Sequence, residues 1–163
     1  MESKLKGLII LIVDDEPDIL SILDEEISDA CSNCRIVKAE TYEWAKDLMD
    51  TTPFDLVILD IMGVRGFDLL KQAVGLNYKV VMLTAHALSS ENLRKAFEMG
   101  ARSYLPKEQL GNIVPFLEDV LANDALSGWQ RLFDKLGGFF NKRFGKNWQQ
   151  DAEDLLKKLK SNP

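Results

Sequence analysis

Leu8-Ile9-Ile10-Leu11-Ile12-Val13-Asp14-Asp15 is an unbroken apolar run closed by two acids, and a second run, Leu56-Val57-Ile58-Leu59, ends on Asp60. Runs this apolar, with no polar alternation, predict strands covered on both faces, as in a parallel sheet flanked by helices. Sheets of that kind bind ligands outside the carboxyl ends of their strands. Three carboxylates delivered to one sheet edge call for a cation. A small cluster of hard oxygen ligands suits Mg²⁺, which keeps several waters and commonly serves phosphate chemistry.

Two further strand ends complete the pattern. Val80-Val81-Met82-Leu83 ends on the hydroxyl of Thr84, and Ser103-Tyr104-Leu105 leads through Pro106 to Lys107. A hydroxyl and an ammonium can hold phosphoryl oxygens while a metal neutralises others. Taken singly, an Asp after a strand is usually a cap or turn residue, a Thr caps, and a Lys is a solvated charge. The joint pattern outweighs these readings.

In order and strand context, Asp14, Asp15, Asp60, Thr84 and Lys107 resemble the receiver domain of bacterial two-component response regulators, over about the first 125 residues, the length of one ordinary domain. The resemblance implies an α/β fold, a five-stranded parallel sheet of flavodoxin-like order 2-1-3-4-5. It implies that Asp60 is the phospho-acceptor, attacking a phosphohistidine of a sensor histidine kinase or phosphotransfer protein. Mg²⁺ would be held by Asp14, Asp15, Asp60 and the backbone carbonyl of Met62, with Lys107 and Thr84 on phosphoryl oxygens. Tyr104, three residues before Lys107, matches the switch aromatic that packs inward when the threonine moves, changing the surface of the fourth helix, fifth strand and fifth helix. Read alone, Tyr104 would be a half-buried strand aromatic.

One departure stands out. The family's loop after the acceptor carries Met-Pro and a Gly eight positions on, whereas Asp60-Ile-Met-Gly-Val-Arg-Gly reaches Gly66 after six and lacks the proline. The shortening bears on metal geometry and phosphorylation rate more than on the fold. The stretch from Gly66 to Thr84 is also compressed. Met62 and His86, each two places beyond a site residue, stand where side chains affect water's access to an aspartyl phosphate. Met62 is expected to screen water and lengthen its lifetime; His86 is ranked as a partner contact or rim residue above a catalytic role.

The helices follow from apolar spacing and punctuation. Pro17 opens a helix striped by Ile19, Leu20, Ile22, Leu23 and Ile27; Thr41 caps one bearing Trp44, Ala45, Leu48 and Met49. A third starts after Gly66, a fourth is capped by Ser89 or Ser90 and stopped by Gly100, and Ile113 to Leu121 makes the fifth.

The chain has 163 residues, 46% of them hydrophobic, enough for a full core, and a net charge of −6. Residues 1–125 carry 12 Lys and Arg against 22 Asp and Glu, while 126–163 carry 8 against 4. We therefore expect a receiver over 1–125 and a basic helical extension over 126–163. No run approaches the roughly 20 apolar residues of a membrane span and the start lacks a signal peptide's apolar region, so a cytoplasmic location is expected.

In the extension, Trp129, Leu132, Phe133, Leu136 and Phe140 share one helical face, ringed by Arg131, Lys135, Lys142, Arg143 and Lys146. Gly137-Gly138 and Gly145 are expected to interrupt or end helices, and Asn147 to cap a last one, giving two or three short helices. The stripe predicts docking on the chain's own domain or a homodimer, through the tail or through the fourth-helix, fifth-strand and fifth-helix face. A membrane surface ranks below that. A DNA-binding output fits poorly, the segment being short and the whole chain acidic. Cys31 and Cys34 lack the further ligands a zinc site needs and follow a helix rather than opening one, so they are read as incidental.

Three function classes remain in view. The first is a phosphorylation switch acting on a downstream protein yet to be identified. The second is a Mg²⁺ phosphotransfer enzyme, which commonly carries an acid two residues beyond its nucleophile, where this chain has Met62. The third is a phosphorylation-independent adaptor, which the short loop favours and the intact five-residue set opposes.

Overall fold

The computed structural model describes residues 4–85, 89–145 and 148–161. His86, Lys146 and Asn147 lie outside the described residues. Strands β1 (Ile9–Val13), β2 (Arg35–Ala39), β3 (Leu56–Asp60), β4 (Lys79–Thr84) and β5 (Ser103–Pro106) form one sheet of order β2-β1-β3-β4-β5. Every pairing is parallel, and β3 is buried along its whole length. β2, at the edge, keeps Arg35 and Lys38 exposed, so that only Ile36-Val37 within it reads as an apolar pair in the sequence.

The connecting helices are α1 (Pro17–Ala30), α2 (Tyr42–Thr51), α3 (Gly66–Gly75), α4 (Ser90–Glu98) and α5 (Ile113–Ala122), the last reached through a 3₁₀ turn, Lys107–Asn112. Thr41 caps α2, its hydroxyl accepting from Trp44 N, and Ser89 caps α4 by accepting from Asn92 N. Parallel crossovers are right-handed. The chain steps one way from β1 to β2 and the opposite way thereafter, so α1 lies across the sheet from α2, α3 and α4. α5 packs beside α1. The reversal between β1 and β3 leaves a crevice at their carboxyl ends.

Two further helices follow, α6 (Ala125–Phe144) and α7 (Trp148–Ser161). The Asp124 carboxylate caps α6 by accepting from Ser127 N. Contrary to expectation, Gly137-Gly138 interrupts nothing. A glycine costs a helix only about 1 kcal/mol, and the buried stripe of Trp129, Leu132, Phe133, Leu136 and Phe140 outweighs two of them. α6 lies against α5 and β5, while α7 lies against α6 and α4. The extension thus docks on its own chain, and the two surfaces considered for a homodimer cover each other. The face considered for a membrane is likewise turned inward.

The reading of the cysteines is also corrected. The turn between α1 and β2 brings the Cα atoms of Cys31 and Cys34 to 5.6 Å, within disulfide range, and their sulfurs are joined. The same turn receives the buried Leu5 segment, with Gly7 N donating to Asn33 Oδ1. No helix among the described residues is long and apolar enough to cross a membrane.

Candidate functional site

Register delivers the site. Val13 pairs with Leu59, Asp60 with Leu83, and Thr84 with Pro106. The residues at the ends of β1, β3, β4 and β5 therefore emerge side by side. Asp14 is fully buried, Asp60 and Thr84 nearly so, and Asp15 points out toward solvent. Oxygens of Asp14, Asp15 and Asp60 lie within 4.8 Å of one another.

Lys107 spans the cluster, its Nζ 2.7 Å from Asp14 Oδ2 and 3.3 Å from both Asp60 Oδ1 and Glu16 Oε2. Asp14 Oδ1 accepts from Glu16 N, which fixes the first turn after β1. One ammonium does not neutralise this many carboxylates. Burial, then the charge of Asp14, pushes the Asp60 carboxyl up to about 6, with Lys107 only partly offsetting them. Burial raises Asp14 as well, outweighing its contact with Lys107. Burial disfavours the Lys107 ammonium, but Asp14 and Asp60 more than compensate and its pKa rises. Such a site gains from a divalent cation, which these oxygens suit.

The short loop after β3 closes on itself, Gly66 N donating to Ile61 O while Ile61 N donates to Leu83 O of β4. Arg65 sits in the left-handed region at φ 54° immediately before α3. Gly63 has φ 84°, and a β-carbon there would collide with the Asp15 carboxylate; one on Gly66 would collide with the Asp60 backbone oxygen. Met62 stands at the rim, 59% exposed. The cleft among Asp15, Asp60, Met62, Thr84 and Lys107 measures about 130 Å³. That is room for a hydrated ion or a phosphoryl group, and falls below the roughly 300 Å³ at which small-molecule pockets begin.

Tyr104 is fully buried. Burial raises its phenol, an effect its surroundings only partly offset. The Thr84 hydroxyl is buried at the end of β4 without a hydrogen-bond partner among the described residues. Sequence reasoning brought together Asp14, Asp15, Asp60, Thr84, Tyr104 and Lys107, and all six lie in or beside this cleft. It missed Glu16 and Gly63. The third acid of Asp14-Asp15-Glu16 was a signal for the first; the second depends on an approach of two loops that no local pattern records.

Residues 10–114 match the response regulator receiver domain family. Among solved structures, a response regulator from Thermotoga maritima is similar at TM-score 0.64 and 15% identity, over 72% of this chain and 99% of that one. A two-component response regulator from Clostridium difficile gives 0.64 and 21%, over 71% and 97%. A LuxR-family two-component response regulator from Aurantimonas sp. SI85-9A1 gives 0.60 and 25%, over 71% and 86%. Among curated proteins, none matches the sequence.

Proposed function

Because the chain belongs to the response regulator receiver family, whose members are signalling proteins rather than turnover enzymes, we propose that it is a phosphorylation switch with Asp60 as acceptor. Residues 1–125 are the receiver and 126–163 an accessory helical unit. The donor is a phosphohistidine on a bacterial sensor histidine kinase or phosphotransfer protein, met in the cytoplasm. An Asp60 oxygen attacks phosphorus, the donor's P–N bond breaks, and its electron pair leaves on the imidazole nitrogen. Asp14, Asp15, Asp60 and the Met62 carbonyl hold Mg²⁺, which supplies neutralisation of charge between the carboxylates and the phosphoryl oxygens. Lys107 exchanges a carboxylate partner for a phosphoryl oxygen, and the Thr84 hydroxyl turns toward another. The buried Tyr104 repacks with that movement, and the surface around α4, β5 and α5 changes for a downstream protein.

The observation that carries this reading is the convergence of three carboxylates within 4.8 Å, spanned by Lys107. The Asp60 carboxyl, pushed up to about 6 by burial and the charge of Asp14, is a perturbed group of the kind that functional sites hold. The test is intact mass after acetyl phosphate treatment. One phosphoryl adduct, absent without Mg²⁺ and absent in Asp60→Asn, is expected. No adduct on the wild type would favour a phosphorylation-independent adaptor.

A further inference from the structure

The turn between α1 and β2 carries Cys31 and Cys34, a pair for which the phosphoryl site has no use. Their Cα atoms lie 5.6 Å apart, so a disulfide closes across the turn without moving the backbone. Cys31, at the end of α1, is 6% exposed, and Cys34 is half-buried. Each sulfur also faces an oxygen: Cys31 Sγ lies 3.2 Å from Asn33 Oδ1, and Cys34 Sγ lies against Leu5 O. A disulfide sulfur has no hydrogen to give these oxygens, whereas a thiol donates. One backbone geometry therefore serves both oxidation states, the joined sulfurs through their spacing and the separate thiols through an acceptor for each. A disulfide that only stapled the turn would need neither acceptor.

Both acceptors belong to the contact that holds the segment leading into β1. Gly7 N donates to Asn33 Oδ1 at 3.1 Å, Leu8 N donates to Leu5 O at 3.1 Å, and Arg35 N of β2 donates to Leu8 O at 2.9 Å. Leu5 itself is fully buried. We infer that Cys31 and Cys34 form a reversible thiol–disulfide exchange site, reduced by an external dithiol, whose state sets how firmly the turn holds residues 5–8. A thiolate of the dithiol attacks the sulfur of Cys34, the more exposed of the two residues. The S–S bond breaks, and its electron pair leaves on Cys31 Sγ, which takes up a proton. The reductant's second thiolate then attacks its partner in the mixed disulfide, and Cys34 Sγ leaves with the electron pair and takes up a proton. Two thiols remain on this chain and one disulfide on the reductant, and a disulfide of the same class reverses the exchange. Reduction replaces two contacts between electron-rich atoms with two S–H···O bonds, which tightens the segment. The pair is a target of exchange rather than an oxidoreductase, because it follows α1 instead of opening a helix, and the partial negative charge at a helix carboxyl end disfavours an attacking thiolate. The turn lies at the amino ends of β1 and β2, opposite Asp60, so the inference stands independently of the phospho-acceptor reading.

The test uses the full chain in glutathione buffers and in dithiothreitol, without denaturant. It is read by intact mass after alkylation of free thiols, and by NMR amide exchange at Gly7 and Leu8. Expected are only two species, with neither or both cysteines alkylated, that interconvert over repeated cycles, and exchange at Gly7 and Leu8 about threefold slower in the dithiol form. A disulfide that dithiothreitol reduces only after denaturation, a chain that oxidised glutathione never closes, or a lasting glutathione adduct on one cysteine overturns the exchange site. Equal exchange in both forms, or slower exchange in the disulfide form, overturns its hold on residues 5–8. The double variant Cys31→Ser with Cys34→Ser keeps two donors and is expected to exchange alike in every buffer. A buffer-dependent difference in that chain would place the effect elsewhere and overturn the hold as well.

Discussion

At Asp60 the conflict between stability and chemistry is explicit. Its carboxyl titrates near 6 in the folded protein against 3.8 for an ordinary aspartate, so between those values the native state holds a proton that the unfolded state has lost. Without metal, its contribution is fully present below about pH 4 and disappears as pH rises through 6. A shift of this size corresponds to roughly 3 kcal/mol. Asp60→Asn removes the penalty. Metal-free denaturant titrations should therefore find the variant little different from wild type at pH 4 and more stable by about 1–3 kcal/mol at pH 7.5. A constant difference across that range would contradict the assignment. Gly63 tests the other side of the cluster. Ala there would strain the backbone at φ 84° and displace a flexible carboxylate, Asp15, so the expected effects are a loss of about 1 kcal/mol of stability with the fold retained and about tenfold weaker Mg²⁺ affinity by calorimetry.

At the scale of elements, the sequence declared those whose environment is simple. β1, β3 and β4 are buried on both faces and read as unbroken apolar runs, and their terminal polar residues marked the site because strand register alone brings them together. The 3₁₀ turn after Lys107 carried no comparable periodicity and went unread. Nor did the disulfide show, since C-x-x-C spacing does not state whether a turn folds its two ends together. Gly137-Gly138 was misread for a related reason: propensity is local, whereas the burial that holds α6 through those positions is tertiary. A β-carbon on Gly137 would meet nothing within 4 Å. Gly137→Ala should therefore stabilise the protein by about 0.5–1 kcal/mol in urea denaturation, and destabilisation would argue for a kink at this place in the helix.

Across the whole molecule, the extension is part of the core of the receiver as well as its neighbour. Trp129, Phe140, Trp148 and Leu155 are as buried as the sheet residues. Trp129→Ala should cost about 3–5 kcal/mol and leave the Ala101 carbonyl without its indole donor. It should also loosen α6 and α7 before the sheet unfolds, seen as fast exchange confined to 125–161. Docking of the extension on its own chain was legible as one of three alternatives in the apolar stripe and the change of charge near residue 125. Which surface it covers was not, because the stripe records that a face is buried without recording against what.

The central claim is that Asp60 carries the phosphoryl group, and the most direct measurement is reductive trapping. Borohydride treatment of the acetyl phosphate product converts an acyl phosphate into an alcohol, marking its residue for peptide mass mapping. Homoserine at position 60, dependent on Mg²⁺, is the expected product. Homoserine at position 14 or 15 instead, or at no aspartate of a chain that does take up phosphoryl groups, would contradict it.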